Sequence, residues 1–190
     1  MSIAIDQVER QHTRTDPGFD AVITTPLPAS RIGIRCSQHV ITALRFLPGQ
    51  QPSRGPSQDH PAQALIEQLC GVLQRYFIHP QTTFSLPLAM TGTPFQRRVW
   101  QAISAIPCGE TRSYADLARQ LDTSARAVGG ACRANLLPIL IPCHRVIAAN
   151  GGLGGFLGET ADNGMAGNLK QWLLQHEAEA GVAGIDAQQH

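Results

Sequence analysis

The chain has 190 residues, of which 43% are hydrophobic and 15% charged, and its formal net charge is +1. These values describe an ordinary globular protein of one large or two small domains, and they exclude a disordered polyelectrolyte or a uniformly basic nucleic-acid coat. Five cysteines with no C-x-x-C pair argue against a disulfide framework and a zinc ribbon, and no leader-like or membrane-length apolar run is present, so a cytoplasmic location with no membrane partner is expected.

In chain order, residues 1–20 are polar and expected to be loosely ordered. Three strands are expected at Ala21-Val22-Ile23, Ile32–Cys36 and Val40–Phe46, where β-branched residues alternate with polar ones. The span from Pro48 to Pro61 holds four prolines with Gly49, Gly55, Ser53 and Ser57, and reads as an exposed loop. Leu65, Leu69, Val72, Leu73, Tyr76 and Phe77 then recur at three- and four-residue steps, the apolar stripe of a helix. Thr82 to Met90 reads as an extended connector.

The next helix opens at Pro94 behind Thr93 as N-cap, with Phe95, Val99, Trp100 and Ile103 on its inner face. A short helix carrying Tyr114, Leu117, Ala118 and Leu121 follows, capped by Ser113 or Thr111. After Asp122-Thr123-Ser124 a third helix starts near Ala125, rich in small residues. Two short helices across a tight turn suggest a helix-turn-helix, a motif that is weak evidence by itself. Leu169, Trp172, Leu173 and His176 predict a closing helix ending at Gln175-His176-Glu177, with a frayed tail from Ala178.

Charge is unevenly placed. Arg112, Arg119, Arg126, Arg133 and Arg145 stand against Asp116 and Asp122, a local net of +3, and Lys170 is the sole lysine in the chain. Arginine suits planar phosphate and base recognition, although a solvated surface would look the same. The residues that carry the chemistry are Pro142-Cys143-His144-Arg145-Val146, delivered from the apolar run Leu136–Ile141. A thiolate is the reactive form of cysteine and a neighbouring base favours it, yet a free cysteine is as often a small buried hydrophobe. The pentapeptide alone leaves both readings open. Gly151-Gly152-Leu153-Gly154-Gly155 reads as either a pocket wall or a flexible turn, and lacks the context of a phosphate loop.

Taken together, Gly92-Thr93-Pro94-Phe95-Gln96-Arg97-Arg98-Val99-Trp100, Gly109-Glu110-Thr111-Arg112-Ser113-Tyr114, Ala125-Arg126-Ala127-Val128-Gly129-Gly130, Asn135, Pro142–Val146 and Trp172–Glu177 strongly resemble the O6-alkylguanine-DNA alkyltransferases, the methylated-DNA–protein-cysteine methyltransferases. The resemblance covers roughly residues 68–177. It implies an N-terminal α/β domain with a small sheet (1–88) and a mostly helical C-terminal domain (89–190) with helix-turn-helix and active site. It also implies a suicide reaction in which an alkyl group passes from guanine O6 in duplex DNA to Cys143, once, after the base is flipped through the minor groove.

The resemblance assigns roles residue by residue. Cys143 is the nucleophile, and His144 is the base that contacts it and communicates through water with Glu177. Tyr114 donates to the departing guanine, and Asn135 is a hinge between the helix-turn-helix and the active-site segment. Arg126 fills the gap left by the flipped base, while Ala127, Gly129 and Gly130 let the helix approach the groove; Arg133 and Thr93 join the DNA contacts. Pro138 and the main-chain carbonyls of Cys143 and Val146 bound the guanine pocket, with Phe156, Leu157 and Gly158 beside the alkyl group. No cofactor and no metal is implied, and no zinc set is evident among His12, His39, His60 and His79. The expected partner is alkylated double-stranded DNA, with the protein a monomer and cooperative binding along DNA left open.

Three departures from the family pattern stand out. The turn from Leu121 to Ala125 is short, and Glu159–Met165 lengthens the loop beside the alkyl pocket. Only Cys36 precedes Cys70, so a metal-binding sensor domain is not expected. A Cys-His hydrolase would need an oxyanion hole that is not evident here, and a lesion-binding relative would lack the reactive cysteine.

Overall fold

A computed structural model describes residues 18–28, 30–49, 53–160 and 164–183. The first 17 residues, the centre of the proline-rich loop and residues 161–163 of the lengthened loop lie outside the described residues, so the expectations placed on them go untested.

An antiparallel sheet opens the fold in the order β1 (Ala21–Thr24), β2 (Ser30–Cys36) and β3 (Ile41–Pro48). Its register pairs Ile23 with Ile32 and Ile32 with Phe46, which stacks apolar side chains on one face. Arg54, in the later part of the proline-rich loop, bridges to Val22 and gives β1 an outer neighbour. Helix α1 (Gln63–Ile78) packs against β2 and buries Ile66, Leu69, Val72, Leu73 and Tyr76. Ile66 is the fully buried member at the start of this stripe, whereas Leu65 and Phe77 are only half-buried. The extended connector joins the sheet briefly, with Leu88 bridging parallel to Ile41.

Helix α2 (Pro94–Ser104) starts as its sequence predicts. Thr93 accepts from Gln96 N and the Gln96 side chain accepts from Thr93 N, a reciprocal capping box with proline in the first turn. Trp100 Nε1 donates to Ala131 O at 2.9 Å and ties α2 to the helix that follows the turn. Helix α3 (Tyr114–Gln120) has its own capping box between Ser113 and Asp116, which decides for Ser113 over Thr111. Helix α4 (Ala125–Arg133) is capped by Ser124 and packs against α3 and α2.

One parallel strand pair sets the geometry of the site. In it β4 (Arg112–Ser113) lies beside β5 (Val146–Ile147), with Arg112 opposite Val146. Because β4 leads directly into Tyr114 and β5 follows a 3-10 turn at Cys143–Arg145, the pairing brings Tyr114 and Cys143 to one place. A hairpin of β6 (Gly155–Phe156) and β7 (Glu159–Thr160) follows, so part of the added loop is strand. The closing helix α5 spans Met165–Ala183, which corrects the expected end at Glu177. The alanine-rich stretch after Glu177 has enough helix propensity to continue it.

A continuous buried cluster runs from Ala21 and Ile34 through Leu73 and Trp100 to Val146 and Leu173. Small sheet and helices therefore share one core. No helix among the described residues is long and apolar enough to cross a membrane.

Candidate active site

Cys143 is 5% exposed and sits at the edge of a cavity of about 470 Å³, a size that takes a small molecule or a nucleobase. It is held in place by a loop with unusual backbone geometry. Ile139, buried and β-branched, has φ 73°, a conformation that costs of order 1–3 kcal/mol and persists only where neighbours impose it. Asn135 imposes it: Oδ1 accepts from Leu137 N at 2.9 Å and Nδ2 donates to Ile141 O at 2.9 Å. The same Nδ2 lies 3.3 Å from Cys143 Sγ and can donate to the sulfur. Asn135 thus braces the loop and touches the thiol, more than the hinge expected of it.

Behind Cys143, and not on the cavity wall, lies a buried ionic cluster. Glu177, 1% exposed, comes from α5. Its Oε1 accepts from His144 Nε2 (2.9 Å), Arg145 (2.9 Å) and Tyr76 Oη (2.8 Å). Its Oε2 accepts from Arg145 Nε (2.8 Å) and Gly109 N (3.4 Å). Gly109 has φ 80°, and an added Cβ would stand 3.1 Å from Glu177 O, so glycine is required where that amide meets the carboxylate. Burial by itself would raise the Glu177 carboxyl, but the bonds from His144 and Arg145 outweigh it and hold the group well below the usual carboxylate range.

Two expectations are corrected here. His144 reaches Glu177 directly, where a water-mediated link was expected. Arg145, counted in the local net charge of +3 and there compatible with a solvated surface, is 9% exposed and neutralises Glu177, because a buried carboxylate requires a cation beside it.

The ionised carboxylate can only accept, so His144 Nε2 is the donor and Nδ1 of the neutral ring is left as an acceptor. That Nδ1 is buried and has no hydrogen-bond partner among the described residues. Burial lowers the His144 pKa against the pull of Glu177. Burial likewise raises the Cys143 thiol, partly opposed by the Asn135 bond and the Lys170 charge. Both shifts favour the neutral thiol and the neutral imidazole over their charged forms.

Lys170 was not anticipated as a site residue. From α5 its ammonium is fully buried and donates to Val146 O at 2.6 Å and Gly155 O at 3.2 Å. Burial lowers its pKa to about 8, and it lies 5.7 Å from the centre of the Tyr114 ring. The only available signal was its solitude in a chain that otherwise uses arginine. Tyr76 and Gly109 were missed as well.

The expected pocket residues divide. Tyr114, Arg126, Gly129, Gly130, Arg133, Phe156, Leu157 and Gly158 line the cavity together with Cys143, Ala125 and Cys132. Tyr114 Oη donates to Gly155 O at 3.1 Å, and its ring leaves no room for a side chain at Gly154, whose Cβ would fall 2.9 Å away. Ala127, Pro138 and Val146 are not on the wall. Pro138 and Val146 are buried, and the Val146 carbonyl already accepts from Lys170. Thr93 is also away from the cavity, its hydroxyl engaged in the α2 cap. No group of three or more metal-ligating side chains occurs among the described residues.

Comparison with known proteins fits this arrangement. A family model described as the DNA-binding domain of 6-O-methylguanine DNA methyltransferase matches residues 94–179. The methylated-DNA–protein-cysteine methyltransferase of Mycobacterium bovis is 42% identical over 150 residues, covering 77% of this chain and 85% of the relative. The chain belongs to this methyltransferase family. The constitutive methyltransferase of Bacillus subtilis is 52% identical over 107 residues, covering 55% of this chain and 61% of the relative, so that match spans less than two thirds of its length. Among solved structures, Mycobacterium tuberculosis OGT in complex with DNA superposes with a TM-score of 0.66 at 35% identity, covering 84% of this chain and 92% of that one. The family resemblance read from the motifs is thereby established, as is the fold of a small sheet combined with helices.

Proposed function

We propose that this chain is a DNA repair protein that transfers an alkyl group from O6 of guanine in duplex DNA to Cys143 Sγ, irreversibly and once per chain. The observation that carries the reading is that Cys143 lines one cavity with Arg126, Gly129 and Gly130, while Asn135 donates to its sulfur and the His144–Glu177 pair lies buried behind it.

In this reading the chemistry runs from the buried cluster outward. Glu177 orients His144 so that its Nδ1 lone pair takes the Cys143 proton, and the imidazolium formed is stabilised by the same carboxylate. Asn135 and Lys170 stabilise the thiolate. The thiolate displaces guanine at the alkyl carbon: the S–C bond forms, the C–O6 bond breaks, and its electron pair remains on the base. Tyr114 turns its hydroxyl from Gly155 O to hydrogen-bond the departing guanine, which takes a proton from solvent as His144 gives up to solvent the one it took from Cys143, so that base and imidazole both end neutral. Burial pushes the Tyr114 phenol well up, so it acts as a neutral donor. The thioether has no leaving path, hence a single turnover.

A base in a duplex must be unstacked to reach Cys143, at a cost of a few kcal/mol. We read α3, its turn and α4 as a helix-turn-helix entering the minor groove. Exposed Arg126 replaces the flipped base, and at Gly129 and Gly130 a Cβ would meet open space, which leaves backbone free to approach DNA. Arg133 is exposed beside them and suits a phosphate. Phe156, Leu157 and Gly158 then border the alkyl group. The domain boundary is placed at residues 88–89, the chain acts as a monomer in the cytoplasm, and no cofactor takes part.

The test is intact-protein and peptide mass spectrometry after incubation with a duplex containing O6-methylguanine. One methyl group on the Cys143 peptide, stopping at one per chain, is the expected result. Binding with an unmodified Cys143 would overturn the transfer, and release of many product molecules per chain would point to a turnover enzyme.

A further inference from the structure

Tyr76 stands on α1, 101 positions before Glu177, and belongs to none of the motifs that carry the family resemblance. Its ring is fully buried, edge-on to Phe77 at 5.5 Å and to His176 at 5.4 Å. A phenylalanine would fill that space equally well, so packing does not call for the hydroxyl. A buried hydroxyl needs a partner, and the partner here is the carboxylate that orients His144.

We propose that Tyr76 is a positioning residue of the alkyl transfer, setting the basicity of His144 by sharing Glu177 Oε1 with it. The inference rests on the alkyl-transfer reading above. Oε1 accepts three donors, from Tyr76 Oη at 2.8 Å, His144 Nε2 at 2.9 Å and Arg145 at 2.9 Å. Each donor draws on the same negative charge, so each weakens what the others receive. Without the hydroxyl the carboxylate holds His144 Nε2–H more tightly and the imidazolium becomes easier to form. Burial keeps the Tyr76 phenol far above its ordinary pKa, so it remains a neutral donor wherever the protein is folded.

Other groups act on this cluster and are unchanged when only the hydroxyl is removed. Arg145 and the Gly109 amide hold the carboxylate, and the Cys108 thiol feels its charge. Lys170 on α5 and Arg145 both oppose a proton on His144, and Cys143 adjoins it in the chain. His176, also on α5, stacks on Trp172 and hydrogen-bonds the Tyr76 carbonyl, a contact that Phe retains.

The experiment measures single-turnover methylation of Cys143 by an O6-methylguanine duplex from about pH 5 to 9, for wild type and Tyr76→Phe. In the variant the acid limb of the rate profile moves to higher pH by about half a unit, because that limb reports deprotonation of His144. A uniform loss of rate with an unmoved limb would be a structural effect and would overturn the proposal. A second readout needs no variant at position 76. The chain has two tyrosines, so 13C labelling with Tyr114→Phe for assignment isolates the Tyr76 Cζ resonance. It shifts across the pH range of the limb if the two side chains share the oxygen, and a flat response overturns the idea. Absence of methyl transfer by wild type would instead defeat the alkyl-transfer reading itself.

Discussion

His144 Nε2 and Glu177 Oε1 are 2.9 Å apart with both side chains buried, 33 positions apart in the chain. The pair fixes which imidazole nitrogen is free and links the turn at Cys143–Arg145 to helix α5.

Glu177→Gln removes the charge that Arg145 and His144 are arranged around. An uncompensated guanidinium in the interior costs about 3–5 kcal/mol, so a clear drop in urea midpoint is expected. Methylation of Cys143 by an O6-methylguanine duplex should slow by roughly 10²-fold through loss of general-base assistance. A quenched-flow rate equal to wild type would remove Glu177 from the mechanism.

Asn135→Ala deletes the bonds to Leu137 N, Ile141 O and Cys143 Sγ together. Each buried group left unsatisfied costs about 1–3 kcal/mol, and Ile139 loses what holds it at positive φ. Lower thermal stability and slower alkylation are expected together. Asn135→Asp retains the acceptor for Leu137 N but places an anion beside the thiol, so it should recover less activity than stability.

Arg126→Ala is a test of base flipping. Arg126 lines the cavity but touches neither Cys143 nor Glu177 by any hydrogen bond, so the thiol chemistry is left intact. Transfer from duplex substrate should fall by at least about tenfold, while reaction with free O6-benzylguanine changes little. Equal slowing of both substrates would contradict the finger role.

Acid should destabilise the fold through two groups acting in the same direction. The Glu177 carboxyl is depressed below its ordinary 4.5, so its contribution is present above that pH and is lost as pH falls through the folded value. The His144 pKa is lowered from 6.5, so the unfolded chain takes up a proton first and stability declines as pH drops below about 6.5. Urea titrations between pH 3 and 8 should show this slope, flatter in Glu177→Gln. A pH-independent unfolding free energy would mean that the cluster is not formed in solution.

Thr93→Ala separates a cap from a DNA contact. The hydroxyl caps α2, so the expected loss is about 1 kcal/mol of stability with DNA affinity unchanged. Weakened binding at constant stability would return Thr93 to the interface.

Local signals read well from the chain. Thr93 ahead of Pro94 marks the start of α2, and Ser113 or Thr111 that of α3, since a cap bonds within a single turn and needs nothing distant; the pairing of Ser113 with Asp116 in the structure decides between the two. The stripe on α1 was legible for the same reason, but the role of Tyr76 within it was not, because a stripe shows which way a side chain faces and not what its hydroxyl meets. Arg145 looked like surface charge until its partner on α5 was in place.

By itself the sequence determined the start of α2 at its Thr93 cap, the strand-then-helix order and, through ordered motifs, the family. Only the tertiary structure decided that Glu177 binds His144 directly, that Lys170 is buried against Val146 and Gly155, and that Tyr76 completes the carboxylate's shell. The physical reason is range. Caps and periodicity act across a few residues, whereas a buried charge is tolerated only where donors from distant elements converge on it, and that convergence depends on the packed core.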